Sequence, residues 1–578
     1  MLIFLYKGRI RLVNRDINIV ISGEAGQGIE IASSLLLRCL KDAKYNLFCS
    51  LEYMSRIRGG CNASFVRIAE EHVCAPKSAV DILFALDEKV FEYFKEKISK
   101  DTILFHDKKS DVLDVICDKK IGLNFTQLAQ VINGVPLSSI VCVGFVLGLF
   151  DTDLESAKNA IKQHFSSEEE IERNIDSLES GYNEAQRLKP LSGIGINMNK
   201  DMSVQNKYLI SGSDALSLGC IAGGCNFISS YPMTPGTALF TFISQAGAKF
   251  DIVSEQAEDE IAAVNMAIGA WYAGARAMVS TSGGGFSLMT EGISLAGMIE
   301  SPLVVHVAQR PAPATGLPTR TEQGDLNLVL YAGAGEFPRI ILAPTTPSDA
   351  FEMGQLAFDM ADKYQVPVFI LTDQFFIDSK SIVGTFNNKK LKLKHHFVKS
   401  DENYKRYALL KNSPISPRAI PSFGKGLVCV DSDEHTDSGL ITEDSSLRKK
   451  MVEKRLRKFD EIKKDILYPE FIGDKEYKNL IISWGSNYCI IKEILPQLKD
   501  TAFLCLRQLY PLHTDIKAYM IDAEELIIVE NNATSQLGRL LREELCCGFS
   551  HTILKYDGLP FGVDSLAKKL REVINENV

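Results

Sequence analysis

At 578 residues the chain is too long for one hydrophobic core, and three or four domains are expected. An apolar share of 46% with 24% charged residues is that of an ordinary globular protein, not of a disordered or membrane-embedded one. The 64 Lys and Arg against 73 Asp and Glu leave a net charge of −9, which argues against nucleic acid as a main partner, because neutralising phosphates needs a clustered basic excess.

No apolar run approaches the ~20 residues that span a bilayer. The best candidate, residues 140–150 (IVCVGFVLGLF), is predicted to be a buried helix. The opening MLIFLYKGRIRLVNRD places its apolar stretch before its basic residues, the wrong order for a secretory signal. The 13 cysteines are odd in number and scattered without a CxxC, a pattern of reduced thiols in a cytoplasmic protein. No metal site is expected on this chain.

Taken in order, residues 14–187 alternate strand and helix patterns, opening on the apolar run 17–22. Residues 188–207 mix Pro, Gly, Asn and charge without a period and read as a linker. Residues 208–378 form a second α/β block, in which short β-rich runs alternate with Ala/Gly-rich helical ones. Residues 379–470 turn polar and charged, an extended connection ending in a solvated helix. Residues 471–578 recover the alternation, with parallel strands predicted at 480–483, 502–505 and 525–529. The fold class is therefore α/β, several parallel-sheet domains in series with crossover helices on their faces.

Four features of the second block carry chemistry. Tyr231-Pro232-Met233-Thr234-Pro235-Gly236-Thr237 brackets a threonine between prolines, which fixes the backbone and aims a hydroxyl. Ser254-Glu255-Gln256-Ala257-Glu258-Asp259-Glu260 reads as a helix start, with Ser254 as its cap and acids complementing the helix dipole. Thr281-Ser282-Gly283-Gly284-Gly285-Phe286 joins a strand to a helix and lets a planar ligand approach the main chain. Arg310 and Arg320 stand on a Pro/Gly-stiffened loop after the run 303–307, placed as an anion clamp would be. In the first block Gly23, Gly26 and Gly28 form a Gly-rich turn into a helix, and Arg56 and Arg58 precede Gly59-Gly60. Such a turn either cradles an anion or merely packs strand on helix; the arginines are either an anion site or surface charge.

These features in this order resemble the alpha subunit of 2-oxoacid:ferredoxin oxidoreductases, whose pattern runs YPITPST, QxEdE, TSGPGfsLMtE and QRxxPsTGLPTRxEQgDL. Gly23–Gly28 and residues 57–60 resemble the family's gamma domain, fused in front. Trp484-Gly485-Ser486, Val529-Glu530-Asn531-Asn532 and Tyr556-Asp557-Gly558-Leu559-Pro560-Phe561 resemble its transketolase C-terminal-like domain. This sequence departs from the pattern at Met233, Gly236 and Gly284, which replace Ile, Ser and Pro.

The resemblance implies a thiamine diphosphate enzyme that turns a 2-oxoacid, 2-oxoglutarate foremost, and coenzyme A into acyl-CoA and carbon dioxide while reducing ferredoxin. It assigns residues 14–187 to the gamma domain, 208–378 to the pyrimidine-binding domain and 471–578 to the C-terminal-like domain. Glu258 is the glutamate expected to hold the aminopyrimidine, with Tyr231, Pro232, Ser282, Gly283, Gly284 and Gly285 around the cofactor. Thr234, Thr237, Arg310 and Arg320 are expected to meet the 2-oxoacid, Thr234 also as a catalytic hydroxyl. Gly23, Gly26 and Gly28 are expected near coenzyme A. The diphosphate site with Mg2+ and a [4Fe-4S] cluster are expected on a separate beta subunit. The rival readings are a thiamine enzyme for pyruvate, branched-chain 2-oxoacids or indolepyruvate, and a non-enzymatic regulator that binds coenzyme A or a nucleotide.

Overall fold

The computed structural model describes residues 15–54, 60–192, 194–386 and 393–574. Arg56, Arg58 and Gly59 lie outside them. The chain divides into two units: residues 1–210 with 378–385 and 561–568, and residues 211–377 with 386–560 and 569–578.

The first unit is built on an eight-stranded sheet. Its order is Lys119–Leu123, Ile103–Asp107, Ile82–Ala85, Asp16–Glu24, Cys61–Ala69, Asn46–Glu52, Lys380–Val383, Tyr208–Ser211. The sheet is mixed, because Cys61–Ala69 runs antiparallel to both of its neighbours. Only residues 53–60 separate it from Asn46–Glu52, too few for the crossover that a parallel pair requires.

The run at 140–150 forms the helix Ser138–Leu149, buried on every side, as the sequence predicts. No described helix is long and apolar enough to cross a membrane. This helix touches Glu168–Ser192 almost backbone to backbone: a Cβ on Gly144 would strike the Leu178 carbonyl, and one on Gly181 the Val141 carbonyl. Valine at either position has no space and forces the helices apart. Thermal unfolding of Gly144→Val is expected to show a loss of about 1–3 kcal/mol.

The segment 188–207 differs from the loose linker expected. Ile194, Ile196, Met198 and Val204 are buried in the first unit's core, and the Asn46 side chain donates to Asp201 at 3.1 Å. Apolar residues at alternate positions give it an inward face, a signal too short to stand out among the polar neighbours.

The second unit holds a seven-stranded sheet in the order Val253–Gln256, Phe227–Ser230, Ala277–Thr281, Leu303–Gln309, Pro367–Asp373, Ile340–Leu342, Gln508–Tyr510. All neighbours are parallel except the last pair, so the strands' carboxyl ends line one edge, where open α/β sheets bind ligands. A five-stranded sheet follows, with Asn479–Trp484 at its centre and parallel to Thr501–Leu506 and Glu525–Glu530.

The charged helix Ser445–Ile462 is only partly solvated. Met451, Lys454, Arg455, Lys458 and Ile462 form its buried stripe, so the charge that suggests a solvent-facing helix lies partly on the inward side. Lys454 Nζ donates to Glu300 at 2.6 and 2.8 Å. Lys458 Nζ lies 2.7 Å from the same carboxylate and donates to the Gln365 carbonyl at 3.0 Å. Arg406 donates to the Glu300 carbonyl at 2.7 Å and to Gln365 Oε1 at 2.9 Å. Glu300 is 1% exposed, and its cationic neighbours hold its carboxyl far below the usual range. One carboxylate serves two lysines, and burial pushes Lys458 down to about 7. The acidic run 431–435 turns inward only at its end: Ser432 and Asp433 are exposed, while Glu434 accepts from Arg455 at 2.8 Å and from Arg448 at 2.5 Å, and the buried His435 stacks on Tyr407 with ring centroids 3.9 Å apart.

Candidate functional site

The carboxyl edge of the seven-stranded sheet carries the loop 231–237, the turn 282–285 and the loop 310–325 on adjacent strands. The segment read as a helix start behaves differently. Residues Val253–Gln256 are a strand, and the Ala257 amide still donates to the Ser230 carbonyl at 3.0 Å. The helix begins only at Glu260, capped by Asp259 through a 2.7 Å bond from the Ala262 amide. Ser254 is therefore a strand residue, not a cap. The strand pairing holds the chain extended three residues beyond it.

This shift in the helix start reverses the expected burial of the glutamates. Glu258 is exposed, whereas Glu260 is 3% exposed and its Oε1 is buried without a hydrogen-bond partner. Burial, with Asp259 adding to it, raises the Glu260 pKa. Its carboxyl reaches the glycine turn, where a Cβ on Gly285 would collide with it and with the Thr281 hydroxyl. The sequence did carry a signal for this: Glu260 is in phase with the buried Ala263, Val264, Ala267, Ile268 and Trp271, while Ile261 is 47% exposed.

At the turn itself Ser282 is fully buried and its Oγ unpartnered. Gly283 and Gly285 are buried and Gly284 is exposed. Gly236 packs on Thr281, which brings the threonine loop to the same place; Ser280 Oγ donates to the Gly236 carbonyl at 2.7 Å. Thr234 and Thr237 are half-buried, while Tyr231 and Pro232 are exposed. Arg310, 8% exposed, donates to the Thr234 carbonyl at 2.6 Å, and its Nε is buried without a partner. Asp325, absent from the sequence expectations, rests on Gly283: a Cβ there would meet its carboxylate. Its Oδ2 is a further buried atom without a partner. Four such atoms around one glycine turn are unusual, since buried polar groups are normally paired. They mark a place built to receive a polar ligand.

The loop 310–325 is held from beneath by the five-stranded sheet's motifs. The Gln323 amide donates to the Asn531 carbonyl at 2.7 Å, and its side chain donates to the Trp484 carbonyl at 3.3 Å and accepts from Asn487 at 3.3 Å. Asn532 donates to the Gln323 carbonyl at 3.2 Å. The Asp373 carboxylate accepts from Thr321 at 3.2 Å and from Ser486 at 2.5 Å, and the Thr321 amide donates to the Gly558 carbonyl at 3.1 Å. Arg320 is half-buried against that Gly558 turn.

In the first unit, Gly26 and Gly28 adopt φ of 96° and 72°, and Gly28 caps the helix Ile29–Asp42 without a side-chain bond. Gln27 Oε1 accepts from the Glu24 amide at 2.9 Å, and Ser139 Oγ donates to the Gln27 carbonyl at 2.8 Å. Among the described residues no group of three or more His, Cys, Asp or Glu is arranged to hold a metal ion. None of the 13 cysteines, all of them among the described residues, is joined in a disulfide.

Comparison with known proteins follows this division. Residues 218–454 match the family model described as pyruvate flavodoxin/ferredoxin oxidoreductase, thiamine diP-bdg, and residues 18–184 the model described as pyruvate ferredoxin/flavodoxin oxidoreductase. The chain is 31% identical, over 96% of its length and 97% of the relative's, to a 2-oxoacid:ferredoxin oxidoreductase subunit alpha from Sulfolobus sp. It is 30% identical to the 2-oxoglutarate oxidoreductase subunit KorA of Mycobacterium tuberculosis, over 76% of this chain and 69% of that one. Among solved structures, the 2-oxoglutarate:ferredoxin oxidoreductase from Magnetococcus marinus with 2-oxoglutarate, coenzyme A and succinyl-CoA bound superposes with a TM-score of 0.89 at 26% identity, covering 97% of this chain and 100% of that one.

Proposed function

Because the chain belongs to the 2-oxoacid:ferredoxin oxidoreductase alpha subunits with a fused gamma domain, we propose that it oxidatively decarboxylates 2-oxoglutarate together with a separate beta subunit. Coenzyme A takes the acyl group and ferredoxin the electrons. The observation that carries this reading is the set of unpartnered buried polar atoms on Glu260, Ser282, Arg310 and Asp325 around the glycine turn. Similarity to two proteins named for 2-oxoglutarate supports the substrate.

The acid assigned to the cofactor is Glu260 in place of Glu258. Its buried, protonatable carboxyl suits a hydrogen bond to a pyrimidine ring nitrogen, and the missing Cβ of Gly285 is what lets that carboxyl lie against the glycine turn. Thiamine diphosphate, when bound, supplies the nucleophilic carbon and the electron sink for decarboxylation. Thr234 offers its hydroxyl to the 2-oxoacid and Arg310 its guanidinium, fixed by the Thr234 carbonyl. The Gly23–Gly28 turn is assigned to coenzyme A phosphates, which a helix N-terminus without a side-chain cap suits. Mg2+ and the [4Fe-4S] cluster are assigned to the beta subunit, in keeping with a sequence that has no CxxC. A cytoplasmic location is assigned from the odd number and scattered spacing of the cysteines. The domain limits assigned are 14–187 for the gamma domain, 208–378 for the pyrimidine-binding domain and 471–578 for the transketolase C-terminal-like domain.

The deciding experiment is CoA-dependent viologen reduction by the chain assembled with its beta subunit, offered 2-oxoglutarate, pyruvate and branched-chain 2-oxoacids. Reduction strongest with 2-oxoglutarate supports the reading; activity only with another 2-oxoacid changes the substrate, and none with any of them overturns the enzyme. Arg320 is assigned to the distal carboxylate. Arg320→Ala is expected to raise KM for 2-oxoglutarate about 10- to 100-fold, the size of one charge-assisted hydrogen bond, and KM for pyruvate far less.

A further inference from the structure

Asp325 sits on the glycine turn with Arg310 near enough to act on its charge, yet the two do not complete each other. Asp325 is 5% exposed and Arg310 8%. Each retains a buried polar atom with no partner, Oδ2 on the acid and Nε on the guanidinium. Other bonds hold each of them in place. The Asp325 amide is tied to Gln309 Oε1 at 3.0 Å, and Gln309 in turn to the Thr372 carbonyl at 3.1 Å. The Arg310 guanidinium is tied to the Thr234 carbonyl at 2.6 Å. The Asp325 carboxyl is seated on Gly283, where any side chain would displace it. An acid and a base held rigidly with free atoms define a slot for a third polar group.

We propose that Asp325 is a substrate-binding acid, donating the O–H of its neutral carboxyl to the carboxylate of the 2-oxoacid while Arg310 donates N–H to the same group. This rests on the functional reading above and adds a residue to it. An ionised Asp325 would repel the substrate and cancel the charge of Arg310, so the slot works only when the acid holds its proton. Burial raises the Asp325 pKa to about 7, Glu322 of the same loop adds to the shift, and Arg310 opposes it. Across the glycine turn the other ionisable group is Glu260, itself held toward its neutral form by burial. Substrate binding therefore weakens as pH rises through the Asp325 pKa, with no bond made or broken in the step.

The test measures KM and kcat of the assembled enzyme for 2-oxoglutarate and pyruvate across neutral pH. KM for both acids is expected to rise about tenfold per pH unit above about 7, with little change in kcat and none in KM for coenzyme A. Asp325→Asn, which still donates but cannot ionise, removes that rise, while Asp325→Ala raises KM at every pH. A wild-type KM that stays flat, or an Asn variant that keeps the rise, overturns the proposal. Infrared difference spectra of the wild-type complex with isotope-labelled aspartate need neither a folded variant nor turnover. A protonated-carboxyl band that vanishes on alkalinisation and shifts when 2-oxoglutarate is added supports the assignment; a band absent on the acid side, or unmoved by any 2-oxoacid, overturns it. An enzyme that oxidises no 2-oxoacid yet shows the shifting band refutes the catalytic reading and leaves the binding slot standing.

Discussion

Replacing Glu260 by glutamine is expected to lower CoA-dependent 2-oxoglutarate oxidation by the assembled enzyme about 10²- to 10⁴-fold, the range for loss of a positioned acid–base group. Glu258→Gln is expected to leave it nearly unchanged. The two residues stand in one short acidic run, yet Glu258 is exposed and Glu260 is buried against Gly285. The amide keeps the volume and a hydrogen-bonding end but cannot exchange a proton, so folding is preserved while chemistry is lost. Because Oε1 of the carboxyl is buried without a partner, its replacement costs little stability, and the melting temperature of Glu260→Gln should match or exceed that of the parent. Parallel dye-reduction assays and melting curves on both variants check this. Equal loss in both variants, or loss only at 258, would return the assignment to Glu258.

The largest expected effect on stability is at Glu300. Glu300→Gln leaves Lys454 and Lys458 buried beside a neutral amide, and a loss of about 3–5 kcal/mol is expected from uncompensated charge. Replacing the three together by leucine and two methionines should recover most of it, since removing a buried ionic group entire is often neutral or stabilising. The pH dependence has a definite sign. Glu300 is depressed in the folded state, so its contribution is present above the unfolded carboxyl pKa, about 4.3, and is lost as pH falls through the folded value. Lys458 is also depressed, to about 7, against about 10.4 unfolded. The folded chain sheds that proton first, and stability rises with pH between those two values. Denaturant unfolding at acid, neutral and alkaline pH reads both limbs. Glu300→Gln should flatten the acid limb.

Much of the site was legible in the sequence because parallel sheets put special residues at strand ends. The proline-bracketed Thr234, the glycines 283–285 and Arg310 each follow an apolar run, and the structure gathers all of them on adjacent strands of one edge. Glu260 was not found, because acids near a helix start look alike until the start is fixed. Strand pairing through Ala257, which no local pattern reveals, moved that start from 254 to 260. Asp325 is one ordinary aspartate in a polar loop; only burial against Gly283 singles it out. Gln323 was read as part of a motif, and its five bonds to the Trp484, Asn487, Asn531 and Asn532 segments explain why those motifs accompany the loop. The buried lysines of 445–462 escaped for the opposite reason, since charge on a helix ordinarily means solvent.

The first unit draws strands from places far apart in the chain. Lys380–Val383 and Tyr208–Ser211 complete its sheet beyond Asn46–Glu52, Asp564 accepts from the Ser78 and Ala79 amides at 2.8 and 2.9 Å, and Tyr53 donates to Asp378 at 2.7 Å. A gene cut at residue 207 would thus release a fragment with the Asn46–Glu52 strand bare, a row of unsatisfied amides and carbonyls open to aggregation. Severing the fusion into two free-standing polypeptides would call for a new cover on that flank, whether added residues or a neighbour that lends a strand.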